Sequence, residues 1–465
     1  MPFAAWPRLY DRLRRVDPAL LVGCGATLVF VASVASASFE FGSLEGDWRF
    51  RYYRRTPWSA LLPFALAAGL ALPLLAWSLR GIERRAAPWI AMWLLAGAAV
   101  TFALRLSYPF NLDQIVRSNL ANSYYSTSLS PGLRPLLEDF GSVAPGLRLH
   151  ARGNMPGKTA LYTLLGLFTR SPQALGTLVV LLSGLSGLLV YAIARELGAD
   201  RRAALLGLVL SLLLPGKVAF VPLLNVIAPV FVLTGFLLLL RFLRRREAWA
   251  TLLLGTVVYA AAFFDPFPLT MAPLFALFVL VALAQGRLDA GGLTRLLGLS
   301  AVAFAASHAV VRGALGFDLF AALAYVFEYQ RRFVGGSQRP YDVWVVENLI
   351  EFGVSLGVCT TVLWLAELGR VLLPAGSAAA PLHERAAQPM ALLSLGCLAV
   401  VLLVDLSGTV RGEVARLWIY VACFVQIPVA VRCARVPGIS GILVLLTCTL
   451  LQTAVSVGMV AFVVP

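Results

Sequence analysis

The chain has 465 residues, of which 60% are hydrophobic and only 13% charged, with a formal net charge of +15. So little polar surface cannot cover a soluble core. The basic residues stand at the ends of apolar runs rather than on a continuous polar stripe, which argues against a nucleic-acid partner and for a membrane topology signal.

Runs of 16 to 25 apolar residues recur, each long enough for a hydrocarbon layer of about 30 Å. In chain order the first spans fall at 19–38, 59–79 and 89–104. A polar segment from Arg105 to Lys158 follows, the longest in the protein. Thr159–Thr169 is apolar but too short to cross, and is expected to lie in the interface as an amphipathic helix. Spans then fall at 172–194, 203–220, 224–240, 249–264, 269–284 and 296–311. A second long polar segment occupies 312–344, and further spans lie at 345–366, 389–404, 417–430 and 439–463, with an Ala/Pro-rich linker over 374–388. The expected fold is an all-α polytopic membrane protein with about 13 transmembrane helices and two long outer loops carrying interfacial helices. It divides into an N-terminal basic segment and hairpin (1–88), a central module with the first large loop (89–311), and a C-terminal module (312–465).

Threading these helices alternately sorts the loops. One side collects short arginine clusters: Arg8, Arg12, Arg14 and Arg15; Arg80, Arg84 and Arg85; Arg195, Arg201 and Arg202; Arg241, Arg244, Arg245 and Arg246. It carries 20 Lys+Arg against 9 Asp+Glu, whereas the side with the long loops carries 18 against 14. The positive-inside rule therefore makes the arginine side, with the N-terminus, cytoplasmic. One loop resists, since residues 39–58 place Arg49, Arg51, Arg54 and Arg55 on the outside. The first span lacks a small-residue cleavage site before Phe39–Glu40 and is read as a retained helix. The six cysteines show no CxxC spacing, so neither a disulfide framework nor a zinc site is expected. Arginine outnumbers lysine 36 to 2, which fits a high-GC bacterium and its plasma membrane.

Residues able to carry chemistry concentrate on the long-loop side. Asp113 follows the third span directly. It is either a general base or the N-cap of a helix over 114–122. His150 precedes Asn154-Met-Pro-Gly157, a sharp turn into a helix whose free N–H groups, with Lys158, can hold a phosphate oxygen; by itself such a histidine reads more readily as a surface residue. Asp265, before Pro266, reads foremost as a turn residue. Arg331 and Arg332 lead to Arg339, Tyr341 and Asn348, which offer an anion fork, aromatic faces and an amide, or equally an interfacial belt. The sharpest local signal is Arg411, Glu413 and Arg416, an ion-pair ladder that positions a guanidinium at headgroup depth or simply ties a loop.

Together these segments resemble the GT-C superfamily of polytopic glycosyltransferases, over most of the chain after residue 89. The shared order is a span, an acid in the first large outer loop (Asp113), a His/Pro/Gly turn (His150 to Gly157), an apolar interfacial helix (Thr159 to Thr169) and a span ending in Tyr-x-x-Ala-Arg (Tyr191 to Arg195). Arg339-Pro-Tyr-Asp-Val-Trp with Asn348, and Arg411-Gly-Glu-Val-Ala-Arg-Leu-Trp, are similar to a group of bacterial membrane proteins in that superfamily. Two departures stand out. Members usually have His-Pro-Pro-Gly where this chain has Asn154-Met-Pro-Gly157, and many have an acid where Asn225 stands; Asp47 in the first hairpin is a candidate for the displaced carboxylate.

The resemblance implies an inverting transfer of a sugar from a polyprenyl-phosphate donor to an extracytoplasmic lipid, glycan or protein acceptor. Asp113, or alternatively Asp47, would act as base. His150, Asn154, Lys158, Asn225, Asp265, Arg331, Arg339, Tyr341, Asn348, Arg411, Glu413 and Arg416 would line the site. No metal or other cofactor is expected, because the chain has no dense acidic cluster. The rivals are a transporter or flippase of a lipid-linked saccharide, which calls for repeated halves and broken helices near the midplane, and a non-catalytic scaffold of the same fold.

Overall fold

A computed structural model describes residues 17–53, 56–336, 339–373, 382–436 and 438–465. Arg8, Arg12, Arg14 and Arg15, together with Arg54, Arg55, Ser337, Gln338 and linker residues 374–381, lie outside the described residues. What is described is almost wholly helical. Ten helices are long and apolar enough to cross a membrane, or eleven if one bent pair counts as a single span. Ala248–Phe264 and Ile419–Arg435 are apolar helices of 17 residues each.

Similar hydropathy leads to opposite surroundings. The apolar window of Arg201–Phe220 is 100% buried, whereas that of Ala290–Leu315 is only 11% buried. An all-round apolar helix is either core or lipid-facing, and these two helices are the extremes. Arg201–Leu212 packs against Ile419–Arg435 and Leu185–Glu196 at the centre of the bundle. Ala290–Leu315 lies at the periphery against Ala248–Phe264. That contact needs Gly255, where a Cβ would collide with the carbonyl of Ser300.

The span expected to run unbroken over 345–366 is in fact two helices. Tyr341–Leu356 and Val358–Leu372 meet at 108°, and Gly357 between them has φ +103°, a conformation that favours glycine. A break inside a membrane frees backbone groups that water cannot reach. Gln452 takes up two of them: its Oε1 accepts from Val358 N at 2.8 Å, and its Nε2 donates to Val354 O at 2.7 Å. Thr361 Oγ1 donates to Gly353 O at 2.7 Å and to Gly357 O at 3.0 Å.

The two long loops fold on one face and against each other. Gln330 Nε2 donates to Gly153 O at 2.8 Å, and Phe140 meets Tyr325 edge-on at 5.7 Å. The ends of the chain meet on that face too: Arg51–Tyr52 pairs antiparallel with Val460–Ala461, beside a hairpin of Gly42–Ser43 with Trp48–Arg49. Within the first loop, the helix expected over 114–122 is replaced by Leu112–Arg117 and Ser123–Leu129. The N-cap of the first is Asn111, not Asp113, in a reciprocal capping box with Gln114. Gly157–Leu165 occupies the place expected for an interfacial helix. Lys158, Thr159 and Tyr162 are buried, while the apolar side chains of Leu164, Leu167 and Phe168 just beyond stand exposed, an arrangement suited to a membrane–water boundary.

Candidate active site on the long-loop face

Four segments far apart in sequence supply a single charged cluster. The turn at Asn154–Gly157 starts helix Gly157–Leu165 and drives Lys158 inward against the bundle. Gly157 is required there, because a Cβ would stand 2.5 Å from the carbonyl oxygen of Phe263. Lys158 Nζ pairs with Asp265 Oδ2 at 2.7 Å, with both side chains buried, and it donates to Asn154 Oδ1 at 3.3 Å. The Tyr124 ring lies 5.5 Å from the same ammonium. Asp265 keeps the turn role expected of it, accepting from Phe267 N at 3.1 Å, but it is also the buried counter-ion of Lys158. Burial disfavours the Lys158 charge, yet Asp265 and Tyr124 hold its pKa above the ordinary lysine value.

The second group is the loop between helices Pro389–Leu406 and Ile419–Arg435. Glu413 pairs with Arg416 and stands 3.7 Å from Arg339. Burial opposes ionisation of Glu413, but Arg416, Arg339 and His150 outweigh it and hold the carboxyl below its ordinary range. Glu413 has φ +62° and follows Gly412 at φ +85°, so this loop is held in left-handed backbone. Arg339 Nη1 donates to Arg411 O at 2.6 Å, and Arg411 Nη1 returns a bond to Arg339 O at 2.8 Å. Arg339 also lies over the Trp48 ring at 4.9 Å.

His150 joins the two groups. Burial and the charge of Arg416 push its pKa down to about 4, against a smaller opposing pull from Glu413. It is therefore a neutral imidazole near pH 7. Arg416 also acts on Lys158 and on Tyr124, whose phenol burial pushes up. The charge of Arg416 is thus felt in both groups. The turn Leu224–Val226, which contains Asn225, packs against Val414–Leu417 at the same place.

Other candidates serve the frame. Asn348 is buried and uses its amide on the loop: Nδ2 donates to Asp405 Oδ1 and to Val410 O, each at 2.9 Å, while Oδ1 accepts from Gly412 N at 3.0 Å. Tyr341 OH donates to Leu406 O at 2.9 Å. Arg331 pairs with Glu328 at 2.9 Å on the exposed side of Leu319–Gly336. Asp113 is half-exposed, pairs with Arg117 at 3.0 Å and donates its backbone N–H to Gln173. Asp47 sits exposed at the hairpin tip with φ +57°, beside Gly46, whose carbonyl accepts from Trp344 Nε1 at 2.9 Å.

Tyr124 and Glu351 are not among the residues expected at the site. Tyr124 lies in a polar stretch without a motif. Glu351 is buried in an otherwise apolar span, and that misplaced charge is the signal that could have found it. Glu351 lines a narrow cleft with Phe39, Phe41, Phe50, Phe220 and Ala415, the last adjacent to Arg416. Its Oε2 accepts from Ala415 N at 3.4 Å, and its Oε1 has no hydrogen-bond partner.

No protein-family model matches the chain, and no curated protein matches it.

Proposed function

We propose that the chain is an inverting glycosyltransferase of GT-C type in a bacterial plasma membrane. It would have thirteen spans, counting the bent pair and the two 17-residue helices, and a site opening outward from the face of the long loops. The observation that carries this reading is the convergence of Arg416, Glu413, Arg339, His150, Lys158 and Asp265, from four distant segments, into one part-buried charged site beside an apolar cleft. A lipid with a phosphate-linked sugar presents that same pairing of an apolar chain and an anion.

In the reaction, a hydroxyl oxygen of the acceptor attacks the anomeric carbon. The bond from that carbon to the phosphate oxygen breaks on the opposite face, and the phosphate stays on the lipid. Arg416 and Arg339 meet the charge that grows on the leaving oxygen, where fixed cations act most strongly. Both already face Glu413, so an arriving phosphate shares them with that carboxylate. His150, neutral, supplies a hydrogen bond without adding to the charge. The hydroxyl proton goes to a carboxylate, for which Asp113 and Asp47 are the candidates. Asp47 is tied to the arginine group through Gly46, Trp344 and Trp48; Asp113 is tied to Arg117 and Gln173. No metal enters this mechanism.

The test is transfer from a panel of polyprenyl-phosphate hexoses and pentoses, with lipid retention measured in parallel. Arg416→Ala is expected to lower turnover by about 10²–10³, and either Asp47→Asn or Asp113→Asn to abolish transfer while the lipid still binds. If all three variants kept full transfer, or if the unaltered protein transferred nothing from any donor, the reading would fail.

A second reading draws on the 108° break at Gly357 and the buried Glu351 beside it. Broken helices at membrane depth characterise transporters. A flippase of a lipid-linked saccharide would move labelled lipid between leaflets and be indifferent to both aspartate variants.

A further inference from the structure

Three cysteines from opposite ends of the sequence meet inside the helical bundle. Cys24 belongs to Pro18–Ala35, Cys359 to Val358–Leu372 and Cys448 to Ser440–Met459, three helices that pack on one another. Their sulfurs all lie within 4.8 Å of one another, and those of Cys24 and Cys448 are 3.7 Å apart. All three are free thiols. A disulfide needs about 2.05 Å, so this separation is non-bonded.

It is, however, the separation that a shared ion requires. With metal–sulfur bonds of about 2.3 Å, three sulfurs stand roughly 3.8 Å apart on a tetrahedral face and roughly 4.0 Å apart in a trigonal plane. The observed triangle reaches either arrangement by shifts of about 1 Å or less.

Two backbone features converge on the same point. A Cβ at Gly23 would come within 2.8 Å of Cys359 Sγ, so glycine is what lets that sulfur rest against the first helix. The break at Gly357 makes Cys359 the second residue of a new 15-residue helix. The positive end of that helix favours a thiolate at membrane depth, where an unsupported anion is costly.

We propose that Cys24, Cys359 and Cys448 form a soft-metal site that takes one Cu(I). Thiolate ligands select soft ions over calcium or magnesium, which need oxygen. A structural zinc site takes four protein ligands, whereas this group, among the described residues, offers three. Each thiol that binds loses its proton to solvent as its S–Cu bond forms, and no electron is transferred. The site is independent of the transferase reading and stands or falls separately.

The test uses the full chain in lipid nanodiscs, without oxygen, with Cu(I) supplied against a competing colorimetric chelator. One Cu(I) per chain is expected, with ultraviolet thiolate-to-copper absorption. Cys24→Ser, Cys359→Ser and Cys448→Ser should each weaken retention by more than about tenfold, while Cys397→Ser, a buried cysteine outside the group, should leave it unchanged. In the unaltered chain, Cu(I) should protect the half-buried Cys24 from maleimide. Absence of retained copper, equal loss in Cys397→Ser, or Cys24 labelling indifferent to Cu(I) would each overturn the proposal; the labelling result holds even if a serine variant fails to fold.

Discussion

Removing Asp265 leaves the ammonium of Lys158, only 2% exposed in its side chain, without its counter-ion and still donating to Asn154 Oδ1 at 3.3 Å. At the 2.7 Å separation of the pair, an effective dielectric of about 20 gives an attraction of roughly 6 kcal/mol. Desolvation offsets part of that, and breaking buried pairs of this kind costs about 3–5 kcal/mol. Asp265→Ala and Lys158→Met should therefore each destabilise by about 3–5 kcal/mol. The double variant, with no stranded charge, should lie well short of the sum, with a coupling of about 2–3 kcal/mol. The assay is unfolding in mixed micelles followed by tryptophan fluorescence, for the four members of the cycle. The folded Lys158 pKa lies above its ordinary value. The contribution is thus fully present below the ordinary lysine range and lost only as pH rises through the folded value, so the cycle reads the same at any pH near neutrality. Singles that add to the double, or an Asp265→Ala cost under about 1 kcal/mol, would refute the view that this pair is a desolvated ion pair holding the first loop to the bundle.

His150 should make stability fall on acidification. Its folded pKa of about 4 lies below the ordinary 6.5, so between those values the unfolded chain binds the extra proton and stability drops as pH falls, by about 3 kcal/mol in all. His150→Gln should remove that slope from thermal midpoints measured across the interval, and an unchanged slope would show that the imidazole is not responsible. Gly157→Ala sets a Cβ 2.5 Å from the Phe263 carbonyl, so helix Gly157–Leu165 must shift and carry Lys158 away from Asp265. The expected cost is about 1–3 kcal/mol, with weakened lipid retention; a neutral result would mean that this close approach is relaxed. Gln452→Leu strands Val358 N–H and Val354 O in the bend, at about 1–3 kcal/mol for each group, and should raise hydrogen exchange at 354–361. Uniform exchange there would show that the bend does not depend on Gln452.

Much of this organisation is legible in the sequence because it is local. Apolar runs mark the helices, and composition separates the long loops from the arginine clusters. Glu413 and Arg416 announce their pairing by spacing alone, since residues three apart in a helical turn share a face; Arg411, expected in the same ladder, donates to the Arg339 carbonyl, and Arg339 stands beside Glu413 instead. The contacts that make the site are of another kind. Lys158 and Asp265 are separated by the spans between them, and nothing in either segment signals the other. Asp265 shows why: its turn chemistry is real and local, and it hides the ion pair. The break at Gly357 is silent in hydropathy because both flanking helices are apolar, and glycine in a membrane helix is common. The cysteine trio is invisible for the same reason as the ion pair, since three helices bring together residues with no common spacing.

The loop that presents Arg416 is held far more firmly than a simple connection requires. Asn348 makes two hydrogen bonds to it and one to Asp405 at the end of the preceding helix, Tyr341 donates to Leu406, and Arg339 and Arg411 bond each other's backbone carbonyls. Trp344 fills the space against Gly412, where a Cβ would stand 2.8 Å from the ring. These ties hold Glu413 in a left-handed conformation, which costs about 1–3 kcal/mol. Stability alone does not account for that arrangement, because well-packed apolar residues usually serve as well as a buried ion-pair network or better. What the clamp does achieve is to fix the loop in place, so that under the proposed transfer no reorganisation would be needed as negative charge develops beside Arg416. A strained loop, a network of buried charges and a neutral histidine all meet at Arg416. That convergence is why Arg416→Ala, rather than a change at any exposed arginine, is the substitution on which the functional reading depends.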